Sequence, residues 1–187
     1  MAEAALTKRA IANSLKELSE ETAFDKISVG DISARCRINR QTFYYHFQDK
    51  YDLLNWIFYN EAITPFKQEL SFDNWSLRLL EMLSTIKNNS RFYTNALRTS
   101  YSNEFKDYMH RSSTKVFSDV IDSIAVDKPV REDDKRFIAE FFSYGITGSV
   151  IAWIENGMKD DPETIVSHIE NLVEDCKKLA IKRYSDQ

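Results

Sequence analysis

Between Asn39 and Lys50 the chain reads NRQTFYYHFQDK, and most of its polar side chains are ones a nucleic-acid duplex can use. Arg40 can fork onto guanine or a phosphate, Gln41 can pair with adenine, and Thr42 can donate to a phosphate oxygen or meet a thymine methyl. The hydroxyls of Tyr44 and Tyr45 offer further phosphate donors, and His46 adds another. The competing reading is an amphipathic surface with solvated charges, since single exposed aromatics are ordinary. Catalysis finds less support. His46, His110 and His168 fall on different predicted helices, so their spacing suggests neither a metal cluster nor a Ser-His-Asp arrangement, and no phosphate loop is present. The expectation is a non-enzyme with no catalytic residues, no metal and no cofactor.

Two short helical patterns must hold these residues. In the first, Val29, Ile32 and Cys36 recur at helical spacing behind Ser28, a natural N-cap, with Asp31 suited to the positive helix end. Asn39 offers the second N-cap. Phe43 and Phe47 then bury one stripe four residues apart and leave Arg40, Gln41, Tyr44, Tyr45 and His46 facing elsewhere. Two helices about three residues apart predict a helix-turn-helix. A first helix over residues 4 to 21, with Ile11, Leu15 and Leu18 on one face, would support them, and Phe24 and Ile27 would fill the connection. Asp49 caps a helix carrying Leu53, Leu54, Ile57 and Phe58, which should join head to body and be ended or kinked by Pro65.

The remainder predicts helix after helix, with no strand pair, Gly-rich segment or internal repeat, so the fold class is all-α. An N-terminal three-helix helix-turn-helix domain (1–48) precedes a C-terminal helical bundle (49–187) for ligand binding and dimerisation. Aromatic residues crowd the body. Trp56, Tyr59, Phe92, Tyr93, Phe105, Tyr108 and Met109 are candidates for an effector pocket, although aromatics at helical spacing equally suit a plain core. A helix over residues 132 to 157 carries Phe141, Gly145, Gly148 and Ala152, and two helical glycines invite a packing reason. The next helix, with Asp161 and Pro162 as cap and first turn, places Ile169, Leu172 and Cys176 on a regular stripe. These residues are the candidate dimer interface, because one helix-turn-helix reads few bases and a twofold pair reads two half-sites of a palindromic operator.

Charge and cysteine content agree with this layout. Of 187 residues 43% are hydrophobic, enough for one large or two small cores. Residues 1 to 50 hold eight Lys and Arg against seven acids, one positive charge in excess; with a net charge of -4, the rest carries five negative charges in excess. The head, rather than the acidic body, should therefore face phosphate, and binding should weaken with salt. Cys36 and Cys176 lie far apart on apolar stripes and read as buried free thiols in a reducing compartment. With no signal peptide and no unbroken apolar run near eighteen residues, a cytoplasmic protein without membrane contact is expected.

The stretch RQTFYYHFQDKYDLL resembles the recognition-helix signature of the TetR family of bacterial one-component transcriptional regulators. The match is dense over residues 5 to 60, including FDKISVGDIS; beyond them only the helical layout and length agree. The resemblance implies that Asn39, Arg40, Gln41, Thr42, Tyr44, Tyr45 and His46 face the groove or its phosphates, and that Thr7, Ser28 and Lys50 clamp the DNA backbone. It also implies a dimer through the last two helices and, by default, a repressor controlled by a small molecule. The turn departs from the pattern: Arg37 stands where most members have Gly, so a slightly reshaped turn or an added phosphate contact is expected there. The phrases RFYTNAL and NEFKDYM further resemble a subgroup that includes regulators of dihydroxyacetone kinase operons, some of which respond through a protein co-regulator. A helical protein-interaction module without DNA is the alternative function.

Overall fold

A computed structural model describes residues 2–71, 73–124 and 131–185 of the chain, with side chains described for 4–71, 73–122 and 131–176. Among the described residues the regular structure is helical. The helices are α1 (Ala2–Glu21), α2 (Val29–Cys36), α3 (Arg40–His46), α4 (Lys50–Phe58), α5 (Thr64–Lys67), α6 (Trp75–Asn88), α7 (Ser90–Ala96), α8 (Ser102–Ile124), α9 (Glu132–Glu155) and α10 (Pro162–Ser185). A 3-10 turn, Phe24–Lys26, links α1 to α2, and a π turn, Tyr59–Ile63, links α4 to α5.

The head folds as its caps dictate. Ser28 and Asp31 form a reciprocal capping box at α2, the Asp31 N–H donating to the Ser28 hydroxyl at 3.2 Å and the Ser28 N–H to the Asp31 carboxylate at 2.8 Å. That carboxylate sits below its ordinary pKa, chiefly because the Ser28 hydroxyl also donates to it. Asn39 caps α3 by accepting from the Thr42 N–H at 2.7 Å. Asp49 caps α4, accepting from the N–H groups of Tyr51 and Asp52. Three local signals thus start three helices, and Ile11, Leu15, Ile32, Phe43, Phe47 and Leu53 close over one another between them.

The sequence leads one to expect that Pro65 ends or kinks the long helix. The chain instead widens into the π turn and runs on through α5. Proline has no N–H to give the carbonyl four residues back and crowds it, and the turn relieves this: the Thr64 N–H reaches the carbonyl of Tyr59, five residues away.

Head and body share one core. Phe24 packs at 6.5 Å from Phe92, Tyr51 stacks on Tyr101 at 4.5 Å, and the Asn95 amide donates to the Ser19 carbonyl at 2.8 Å. The Lys16 ammonium on α1 meets both Glu61 oxygens in the π turn, at 2.7 and 2.8 Å. Beyond this junction α8 lies along α9, where Thr114 donates to Ser143, and α10 lies on α6. By length and composition α9 could cross a membrane, with a mean hydropathy of 1.4 over its most apolar window; 44% of that window is buried inside the protein.

Candidate nucleic-acid interface

The α3 helix buries Phe43 completely and turns its other side outward. Tyr45 is 83% exposed and Tyr44 more than half exposed; Arg40 and Gln41 are exposed, and His46 is partly so. Tyr45 meets the His46 ring edge-on at 5.0 Å, which holds both rings at the C-terminal end of the helix. Arg40 lies across the start of α2. A Cβ on Gly30 would fall 2.5 Å from its guanidinium, so the absence of a side chain there makes the room, and the Asp31 charge stands close by. Sequence reasoning passed over Gly30. The available signal was a glycine in the first helical turn, where close approach of another group is one reason to use it.

Not every expected contact residue is free. The Asn39 carboxamide oxygen accepts from both the N–H and the hydroxyl of Thr42, so these two side chains cap α3 rather than present a base-reading edge. Ser28 stays exposed at the head of α2, its hydroxyl already donating to Asp31. Thr7 is half-buried on α1. The largest correction concerns Lys50. Instead of reaching outward to phosphate, its ammonium donates to the carbonyls of Phe24, Asp25 and Ile27 at 2.9, 3.0 and 2.8 Å. It lies over the rings of Phe24 and Tyr51 as well. Burial pulls its pKa down, against the pull of Asp25 and Asp49, and only a charged ammonium supplies three donors to three carbonyls.

Arg37 adopts the left-handed conformation, φ 56° and ψ 39°. The turn has not been reshaped to suit a non-glycine residue: the Ile38 N–H closes on the Ser33 carbonyl at 2.9 Å, as in an ordinary helix C-cap. Arg37 is exposed and holds the conformation at a steric cost that glycine would not incur. Replacing Arg37 with Gly should therefore raise stability by about 1 kcal/mol, or roughly 2–4 °C in Tm. Thermal unfolding of the two proteins checks this, and a lower midpoint for the glycine variant would refute the strain.

The expected effector pocket does not assemble. Phe92, Tyr93 and Phe105 are fully buried core residues, and Trp56 packs against the head, edge-on to Phe47 at 5.7 Å. Burial pushes the Tyr93 phenol far above its usual range. Met109 lines an apolar cavity with Phe58, Phe66 and Leu79, of about 20 Å³. Tyr59 and Tyr108 open instead onto a surface groove. Of the proposed dimer residues, Phe141 is 63% and Leu172 65% exposed, and Gly145, Ala152 and Cys176 are also exposed. Nothing lies within 4 Å of a Cβ built on Gly145 or Gly148. Ile169 packs partly on the chain's own core. Cys176 is thus no buried thiol, and Cys36 is half-buried. Leu179 and Ala180, which would extend the α10 stripe, lie outside the described side chains.

Comparison with known proteins identifies the family whose fold carries this face. Residues 11–57 match the family described as bacterial regulatory proteins of the tetR family, and residues 73–175 match the model of a transcriptional regulator C-terminal region of TetR type. The chain is 36% identical over 93 residues to the HTH-type dhaKLM operon transcriptional activator DhaS of Lactococcus lactis subsp. lactis strain IL1403, spanning 50% of each protein. A solved structure of a dihydroxyacetone kinase operon activator DhaS superposes with a TM-score of 0.74 at 27% identity, covering 92% of this chain and 97% of that one. A TetR transcriptional regulator from Streptococcus agalactiae 2603V shares the fold, with a TM-score of 0.56 at 22% identity over 92% and 96% of the two chains. With both halves matched, and α3 presented outward from a capped helix-turn-helix, the chain belongs to the TetR family of DNA-binding transcriptional regulators.

Proposed function

We propose that this chain binds a palindromic operator as a homodimer in the cytoplasm, with residues 1–48 reading DNA and residues 49–187 pairing the heads and receiving the input. The observation that carries this reading is the outward stripe of α3, where Arg40, Gln41, Tyr44 and Tyr45 stand exposed on a helix anchored by Phe43. In this reading exposed Gln41 takes the base edge, whereas Tyr44, Tyr45 and Arg37 take phosphate. The dimer reading rests on the apolar residues that α9 and α10 leave uncovered. For the output we favour activation over the repression expected from the sequence, because DhaS is named an activator. The input passes through the body, by a small molecule or a protein co-regulator.

Selection of bound duplexes from a random pool tests the core of the proposal. The expected result is an inverted repeat whose binding weakens steeply with salt. Gln41→Ala should then relax preference at one position of each half-site, a discrimination worth about 1–3 kcal/mol, while Tyr45→Ala weakens all sequences alike. Uniform loss for Gln41→Ala would make it a backbone contact, and no salt-sensitive duplex binding would return the chain to the protein-interaction alternative.

A further inference from the structure

A groove of about 250 Å³ runs between the π turn and α8, lined by Tyr59, Ile63, Lys67, Tyr108, Arg111 and Lys115, with Asp119 at its rim. From one wall come Tyr59, Ile63 and Lys67, at four-residue intervals through the π turn. The other wall is a single stripe of α8 in which Tyr108, Arg111, Ser112, Lys115, Val116 and Asp119 recur at helical spacing. We infer that this groove is a binding site for a small organic phosphate, the anion held by Arg111 and Lys115 and the carbon skeleton lying against Ile63, Val116 and the tyrosine rings.

Four observations carry this. First, the groove gathers three cations against one carboxylate in a body whose net charge is negative. Second, several other cations of the body are neutralised, Lys106 by Glu155, Lys135 by Asp122 and Glu132, Arg78 by Glu69 and Glu81, and Lys87 by Asp161. Among the described residues Arg111 and Lys115 form no ion pair, although acids were available to the same surface. Third, both phenols are donors. Lys67 donates to the Tyr59 hydroxyl at 2.7 Å and lies over its ring, which leaves the phenolic O–H to point elsewhere. Burial raises the pKa of Tyr108, so it too keeps its proton. Fourth, the wall that carries Tyr59 is the π turn itself, a local departure from α geometry of the kind that recurs at functional sites. A phosphate uses charged donors and hydroxyls together, and a forked guanidinium matches two of its oxygens.

The size of the groove sets the class. It accommodates a compact phosphate ester, and its concave form suits a small molecule better than a flat partner surface. The inference rests on the reading of the body as the input domain and is independent of how α3 reads DNA.

Calorimetric titration of the full-length protein with glycerol 3-phosphate, inorganic phosphate and uncharged glycerol, at constant ionic strength set by chloride, tests it. The expected result is saturable binding of glycerol 3-phosphate at roughly millimolar concentration or tighter, weaker binding of inorganic phosphate, and none of glycerol. The double variant Arg111→Gln, Lys115→Gln should bind at least about tenfold more weakly with an unchanged unfolding midpoint, since both side chains lie outside the core. Tyr59→Phe keeps the ring and loses the donor, and should weaken binding by a few fold. Two results would overturn the site: no saturable heat from either phosphate, or equal binding by the parent and the double variant. Duplex binding measured on the same samples separates the two readings, because a failed groove with intact duplex binding leaves the operator proposal standing.

Discussion

Lys50→Met should lower the unfolding midpoint by about 4–8 °C, a loss of about 2 kcal/mol, without changing how duplex binding depends on salt. The ammonium ties the 3-10 turn to the start of α4 beside the stacked rings of Phe24 and Tyr51, and its three hydrogen bonds are to backbone carbonyls 23 to 26 residues away in sequence. Methionine keeps the aliphatic stem over Phe24 and Tyr51 but has no donor. The part-buried carbonyls of Phe24 and Ile27 then lose a charge-assisted bond, while the exposed Asp25 carbonyl turns to water. The salt dependence is what distinguishes the roles. A residue that neutralises a phosphate lowers the slope of log K against log salt by about one when removed, whereas a residue that braces the head leaves the slope alone. A reduced slope with an unchanged midpoint would restore Lys50 to the phosphate clamp implied by its family resemblance.

Phe141→Glu should give a monomer whose operator affinity falls by a factor of roughly 10² to 10⁴. Phe141 stacks on Phe137 at 6.3 Å, and Phe137 is 68% exposed, so within the single chain these rings support each other while facing water. Along the same side of α9 lie Gly145 and Gly148, where a close helix has unobstructed space. Exposed apolar residues gathered on one face fit the interface proposed above, where a buried carboxylate facing its symmetry mate would be repelled as well as desolvated. Because Phe141 contributes little to the chain's own core, the helical content should be unchanged. Sedimentation gives the mass and duplex titration the affinity; an intact dimer would place the interface elsewhere.

Features decided within one helical turn were legible in the sequence. Ser28 with Asp31, Asn39 and Asp49 cap the helices expected of them, and Phe43 and Phe47 bury the stripe that their spacing predicts. Features decided by distant neighbours were not. Nothing near Lys50 in sequence announces carbonyls at the far end of another element. Phe92, Tyr93 and Phe105 have the same spacing whether they wall a pocket or fill a core, and only the packing of α4, α7 and α8 decides for the core. Cys176 shares its stripe with half-buried Ile169 one heptad earlier, yet among the described residues of the single chain no packing covers the thiol. Arg37 was read correctly as a misfit in a glycine position, but the cost is taken up as local strain while the turn keeps its geometry.

The core shared by Phe24, Tyr51, Phe92 and Tyr101 has a thermodynamic consequence. Head and body cannot melt separately without breaking that interior, so a single cooperative unfolding transition is the expected result. Anything that binds the native body, at whatever distance from α3, raises the free energy of opening the head by RT ln(1 + [L]/Kd). Thermal stability therefore registers any ligand of the native body, whereas operator occupancy responds only to one that binds the two arrangements of the heads unequally. A screen for compounds or partners that shift its melting curve finds what binds the native body, and duplex titration of the hits then picks out those that favour one arrangement of the heads.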